Sequence, residues 1–493
     1  MSKFKIGWAE VSLVPDKKVY LAGQLYERVS EYVESEITVT AMAIKSENEQ
    51  AIIVSCDATS FASNVINLAR EKFAKLNSEV APEKLVIGTT HTHTSIKHAL
   101  NKVTAAVKIL DEFMPPEKKY KPLVDEDDSV LCGQEALDFI TDKIAIAANK
   151  AWENLDDAMY ANAFGRAAVG FCRRVCYNDG SALMWGDTNK GDFTALEGGN
   201  DSGIELLYIF DTNKKLTGIV ANIACPSQIL EHRSFISSDF WGKAKERLRK
   251  EFGEEIYLLA MCGAGGDQCP RDLIRWVEPE TPINDPQIER KNVIERVADP
   301  SMFDLSGCRL VGKRIANEII SVYEEITEIK DEIEFAHEKL VLDLPLRKAT
   351  PSEYKTAVRE VQYYVDKNAD KKDFNFEDKA AMHVYVGTIR RYRDQQTKEI
   401  VPTEVHIIRF GDVAIATNPF ELFLDYGNYI KARSFAKQTF IMQLTCGALG
   451  YLPTEKAVKG GHYSAYITSG NIGPDGGDIL ARKTVEQINK LFE

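Results

Sequence analysis

A chain of 493 residues that is 44% hydrophobic and 27% charged has the make-up of a globular protein with a sizeable core. Its net charge of −13 and pI near 5.3 exclude a basic nucleic-acid footprint. No apolar run reaches the roughly 18 residues of a membrane span, and the N-terminus MSKFKIGWAEVSLVPDKK has no apolar signal core, so neither membrane insertion nor secretion is expected.

The nine cysteines, at 56, 132, 172, 176, 225, 262, 269, 308 and 446, are scattered and odd in number. That pattern predicts reduced, mostly buried thiols in the cytoplasm rather than a disulfide framework. Cys172 and Cys176 lack the paired spacing of a zinc ribbon.

In chain order, ITVTAMAI (37–44) and QAIIVSC (50–56) predict two strands around a polar turn. Asp57 closes the second strand, either as a buried carboxylate with partners or as the cap of a helix beginning near Ala62. Residues 65–76 have helical periodicity, and Leu85–Ile87 is a short apolar strand. Together they form a βαβ-like unit in an α/β fold, where loops beyond the strand ends usually hold the active site. There the sequence reads Gly88-Thr89-Thr90-His91-Thr92-His93-Thr94-Ser95. On extended backbone, residues two apart point the same way, so His91 and His93 could share a pocket, one binding a metal and the other handling a proton. The plainer alternative is a strand end that only hydrogen-bonds locally.

Residues 111–130 and 270–300 are rich in charge and proline and predict surface insertions. Residues 134–154 and 311–330 predict helices. In Phe171-Cys172-Arg173-Arg174-Val175, one arginine could anchor an anionic or carbonyl group of a substrate, or both could form surface ion pairs. Asp179-Gly180 marks a hairpin turn, and the acidic, glycine-rich loop that follows is expected at a site mouth. Strands near 204–210 and 216–224 flank a turn, and the second of them and a third near 256–261 end in polar groups: Cys225-Pro226-Ser227-Gln228 then Glu231-His232, and Cys262-Gly263-Ala264-Gly265-Gly266-Asp267. The glycine-rich turn fits neither a phosphate loop nor a dinucleotide site and is expected to allow close backbone approach. Arg390-Arg391-Tyr392-Arg393 reads most simply as a solvated helix face. A hairpin over 404–417 delivers Asn418-Pro419-Phe420-Glu421, and Glu421 is either a ligand or a carboxylate at the start of the next helix. No Gly-x-Ser-x-Gly elbow and no persuasive Ser/His/Asp set is present.

In this order GTTHTHTS, ACPSQ…SSDFWG, CGAGGDQCP, RFGDVAIATNPFELF and GYLPT…GGHY make a combination that resembles the catalytic domain of the neutral/alkaline, non-lysosomal ceramidase family. The resemblance implies an α/β fold of mixed sheets layered with helices, in one catalytic domain over 1–493 without the family's C-terminal β-domain. It also implies one zinc ion per chain and hydrolysis of an amide bond by metal-activated water. Carried over by position, His91, Glu421 and Tyr451 correspond to zinc ligands. His93 corresponds to the histidine near the reacting carbonyl, Tyr463 to the tyrosine that stabilises the oxyanion, and Arg173 to a substrate-binding arginine. The family's second zinc histidine is replaced here by Ala224-Cys225-Pro226. His232 is the favoured substitute, with Glu231 and Cys225 left open.

The polar loop residues Asn189, Asp192, Glu197, Asn200 and Asp201 point to a small polar substrate rather than ceramide. An ester, lactone or glycosidic bond cleaved at the same metal site, and a catalytically inactive binding protein, are the alternatives. Homo-oligomerisation is left open.

Overall fold

The computed structural model of the chain describes residues 2–98, 105–115, 129–277, 297–298 and 303–493. The insertions expected at 111–130 and 270–300 lie largely outside these residues.

An eight-stranded sheet is built from β1 (Phe4–Ser12), β2 (Thr38–Ser46), β3 (Gln50–Cys56), β4 (Leu85–Thr89), β5 (Asp156–Arg166), β6 (Gly203–Asp211), β7 (Leu216–Ile223) and β8 (Tyr257–Cys262). Its order is β8-β7-β6-β5-β1-β2-β3-β4. The inner neighbours are antiparallel, and the two outer pairs, β3/β4 and β7/β8, are parallel. A parallel neighbour needs a crossover, which α1 (Ser63–Leu76) and α3 (Asp239–Phe252) supply. The expected βαβ unit is therefore present. Its strands QAIIVSC and LVIGT are buried almost throughout, as a covered parallel pair requires. Helix α2 (Gly133–Glu153) lies against β1 and β2, where Gly7 leaves room for the backbone of Ala151.

The sheet curls, so its two parallel edges face each other. The Trp8 ring stacks on Tyr257 at 5.6 Å over Gly218, and Ser55 Oγ donates to the Ala260 carbonyl. A second, four-stranded sheet comprises β9 (Phe335–Pro345), β10 (Ile400–Phe410), β11 (Val413–Thr417) and β12 (Gln438–Met442), in that order. Its residues alternate in what they bury. Ile408, Phe410, Val413 and Ile415 pack with Phe4 and Tyr160 of the first sheet. Val405, Ile407, Ala414 and Ala416 pack in a core shared with Leu480 and Ile488 of a helix, Pro474–Phe492.

The pair β11/β12 is parallel as well. Three parallel pairs thus send their C-terminal ends to one place. Gln443 N donates to Cys262 O at 3.0 Å, Cys446 N to Ile87 O at 2.7 Å, and Ser227 Oγ to Thr90 O at 2.8 Å.

One expectation is corrected. Arg391 does not face solvent. It is 6% exposed and donates to the carbonyls of Arg347 and Gly470 and to Asn471 Oδ1. Of the two readings of Asp57, the structure shows the buried carboxylate with partners and not the helix cap. Its carboxylate accepts from Thr38 N, Thr38 Oγ1 and Thr90 Oγ1, and burial pushes its pKa up. All nine cysteines are free. Among the described residues no helix is long and apolar enough to cross a membrane.

Candidate active site

Strand β4 stops at Thr89, so His91 and His93 are carried by a loop and not by the extended backbone expected. His91 has φ of 63°, and this turn brings the two rings edge to face with centroids 4.9 Å apart. The threonines pin the loop: Thr92 Oγ1 and Thr94 Oγ1 both donate to Ser237 O, at 3.0 and 2.8 Å. Ser95 Oγ donates to Asp57 O at 2.6 Å.

His91 Nδ1 lies 2.7 Å from Thr59 O. A carbonyl only accepts, so that nitrogen carries a hydrogen, and Nε2 faces inward. Glu421 Oε2 and His93 Nε2 each lie 3.4 Å from it.

Glu421 sits in a two-residue parallel bridge to Tyr451, next to the glycine-rich turn. A Cβ on Gly266 would stand 2.3 Å from Glu421 O, so the turn does provide the close approach expected of it. Burial by itself would raise the Glu421 pKa, but His91, Tyr451 and Arg173 bring it below the usual carboxylate value.

Arg173 is 3% exposed and lies over the Trp185 ring at 5.5 Å. It donates to Gln228 Oε1 at 3.3 Å, Gly266 O at 3.1 Å and Tyr451 Oη at 3.4 Å. The hydroxyls of Tyr451 and Tyr463 are 2.7 Å apart. Burial pushes the Tyr451 phenol far up and that of Tyr463 to about 12, so both keep their protons near neutrality. Tyr463 is 44% exposed, yet its hydroxyl turns inward.

His91, His93, Glu421, Tyr451, Tyr463 and Arg173 are therefore brought together. His232 is not: its side chain is exposed, and the neighbouring Glu231 is the residue that reaches in, its Oε2 standing 3.1 Å from His93 Nδ1. Cys225 turns its sulfur toward the carbonyls of Val169 and Pro226, and burial holds it as a neutral thiol. Three residues of the polar loop are engaged by local structure. Glu197 pairs with Arg174, Asn200 Oδ1 accepts from Cys172 N, and Asp201 pairs with Lys431.

Two residues at the site were not singled out from the sequence. Gln228 has its Nε2 buried without a partner, as is Arg173 Nε. Arg28 donates to the carbonyls of Ala22, His93 and Arg233, each at 2.6 Å, and so fixes the loop of His93. The stretch Pro226-Ser227-Gln228 at a strand end was a usable signal for the first. Nothing local marks Arg28, two of whose three carbonyl partners are remote in sequence.

His91 Nε2 and Glu421 Oε2 stand 3.4 Å apart, with Tyr451 bridged to Glu421 beside them. Imidazole, carboxylate and phenol oxygen are donor types that suit the zinc implied by the sequence resemblance.

A second group could also hold a metal ion: donor atoms of Glu404, His406 and Cys446 lie within 4.8 Å of one another. That place already has a cation, since Arg70 Nη2 donates to Glu404 Oε1 at 2.7 Å and to Cys446 Sγ at 3.4 Å. The active-site donors are less compact than this trio and are arranged around His91.

No protein-family model matches the chain, and no curated protein matches it. Solved structures do match. The neutral ceramidase from Pseudomonas aeruginosa aligns over 100% of this chain and 75% of that chain, with a TM-score of 0.66 at 14% identity. A ceramidase complexed with C2 aligns over 100% and 76%, with a TM-score of 0.66 at 12% identity. The chain thus has an α/β fold of mixed sheets and helices like that of neutral ceramidase.

Proposed function

We propose that the chain is a zinc-dependent hydrolase that cleaves an amide bond in a small polar molecule. The observation that carries the reading is the buried cluster of His91, Glu421 and Tyr451, with Tyr463 and Arg173 beside it, on a ceramidase-like fold.

His91 Nε2, the Glu421 carboxylate and Tyr451 Oη would hold the metal, which supplies Lewis-acid polarisation of a carbonyl and a water acidic enough to attack it. Tyr463, protonated at neutral pH, offers its hydroxyl hydrogen to the oxygen on which charge develops. Arg173 Nε and Gln228 Nε2 are buried donors without partners. They would donate to a carbonyl or hydroxyl oxygen of the substrate, which supports a polar ligand better than the loop polarity does. Trp185 holds the Arg173 plane and limits where it swings.

The test is metal content and turnover on the same preparation, assayed on a panel of acyl amides with matched esters and lactones. Amide hydrolysis that is lost on chelation and restored by zinc supports the reading. Full activity without metal, or turnover of esters only, refutes it.

A further inference from the structure

We infer that Asp57 is a positioning residue of the active site: it fixes the shape of the loop that carries His91 and His93. The inference rests on the zinc-site reading above. It adds to that reading a buried carboxylate that touches neither of the two histidines.

The loop is held from the inside by the short segment that follows β3. Asp57 Oδ1 accepts from Thr90 Oγ1 at 3.1 Å, one residue before His91. The Asp57 carbonyl accepts from Ser95 Oγ at 2.6 Å, two residues after His93. One residue thus brackets both histidines. Between those two points Thr59 continues the same support. Its carbonyl lies 2.7 Å from His91 Nδ1, and its Oγ1 donates to Thr92 O at 2.8 Å. The support is needed because His91 has φ of 63°, a conformation that a residue with a side chain keeps only where its surroundings impose it.

The far side of Asp57 is tied to the sheet. Oδ2 accepts from Thr38 N at 2.9 Å and from Thr38 Oγ1 at 3.1 Å, and Asp57 N donates to Thr38 O at 2.9 Å. The sheet therefore occupies one carboxylate oxygen, and the other serves the loop. A carboxylate only 5% exposed requires such donors and a nearby cation. Lys245 supplies the charge: its Nζ donates to Thr38 Oγ1 at 3.0 Å and to Glu10 Oε2 at 2.7 Å, and Arg249 Nη2 donates to Glu10 Oε1 at 2.8 Å. A connected polar chain thus runs from α3, across β1 and β2, to the residue next to His91.

The test uses the full chain purified without added metal. Zinc affinity is measured by chelator competition, the coordination sphere by the visible absorption of the cobalt(II)-substituted protein, and stability by the denaturant midpoint. Thr90→Val keeps the shape of the side chain and removes its hydroxyl. It is expected to weaken zinc binding by roughly 10-fold or more and to change the cobalt spectrum, and Asp57→Ala is expected to do the same more strongly. Asp57→Asn is expected to recover most of the affinity, because its amide oxygen can accept from Thr38 N while the Thr90 hydroxyl turns to accept from its amide nitrogen. Thr38→Val removes a bond on the sheet side only. It is expected to lower the denaturant midpoint and to bind zinc as the parent does. Circular dichroism identifies any variant that fails to fold, and Thr90→Val carries the test if Asp57→Ala does. Parent-like affinity and spectrum in a folded Thr90→Val, or an equal loss of affinity in Thr38→Val, would overturn the positioning role alone. A parent chain that binds neither zinc nor cobalt would overturn it together with the hydrolase reading.

Discussion

Arg174 and Glu197 form a two-point ion pair in the interior, Nε to Oε2 at 2.6 Å and Nη2 to Oε1 at 3.0 Å, on a guanidinium with no exposed surface. The same guanidinium donates to the carbonyls of Ala457, Gly461 and Tyr463. Its neighbour Arg173 faces the opposite way, into the site. One arginine thus reaches Tyr451 in the candidate site while the next secures the loop that carries Tyr463. Glu197→Ala leaves a buried cation unpaired and is expected to cost roughly 3–5 kcal/mol, read as a lower denaturant midpoint. Activity should fall further than stability accounts for, because the Tyr463 loop loosens.

Tyr463→Phe keeps the edge-to-face packing on Tyr451 and removes only the hydroxyl. The expected result is unchanged metal content with kcat lowered by roughly 10²- to 10³-fold. Loss of the metal instead would make Tyr463 part of the metal-holding group.

Gly266→Ala puts a methyl against the Glu421 carbonyl. Backbone must move, so the variant is expected to be less stable by roughly 1–3 kcal/mol and to lose metal affinity. Thermal unfolding with and without zinc would separate the two effects.

Burial raises the Asp239 pKa to about 7, against 3.8 for an ordinary aspartate. Between those values the folded chain holds a proton that the unfolded chain has released. This group's contribution therefore favours folding at low pH, declines as pH rises from about 4, and levels off above about 7. Asp239→Asn has no proton to lose, so relative to the parent it should gain stability from pH 5 to pH 7.5. Denaturant midpoints of both proteins across that range check the slope.

Seven of the nine cysteines are buried, and Cys132 and Cys176 are half-buried. Brief alkylation of the native protein should modify those two at most, and alkylation in denaturant without reductant all nine. A shortfall in denaturant would reveal disulfides.

The apolar runs made much of the fold legible. Unbroken Ile/Val stretches over 50–56 and 85–87 marked the parallel pair, and the helix between them followed from its periodicity. Strand ends rich in His, Gln and Glu marked where the site would form, because a buried strand ending in ligand-type residues has few other uses. Which residues arrive there was less legible. His232 and Glu231 differ by one position, and a single turn of loop backbone decides which points inward. Asn200 and Asp201 look free in the sequence but are used up by a backbone amide and by Lys431. Arg391 reads as solvated because its run is charged, whereas its partners are carbonyls that exist only once the chain is folded.

The convergence of three parallel strand pairs makes the centre a late product of folding. His91 and Glu421 are more than three hundred residues apart in the chain, and Glu231 and Tyr451 come from still other segments. Each pair can form around its own crossover helix, but none contains enough donors to retain a metal. Zinc uptake would then report that distant parts of the chain have docked, and zinc release would be an early sign that they are parting, before secondary structure is lost.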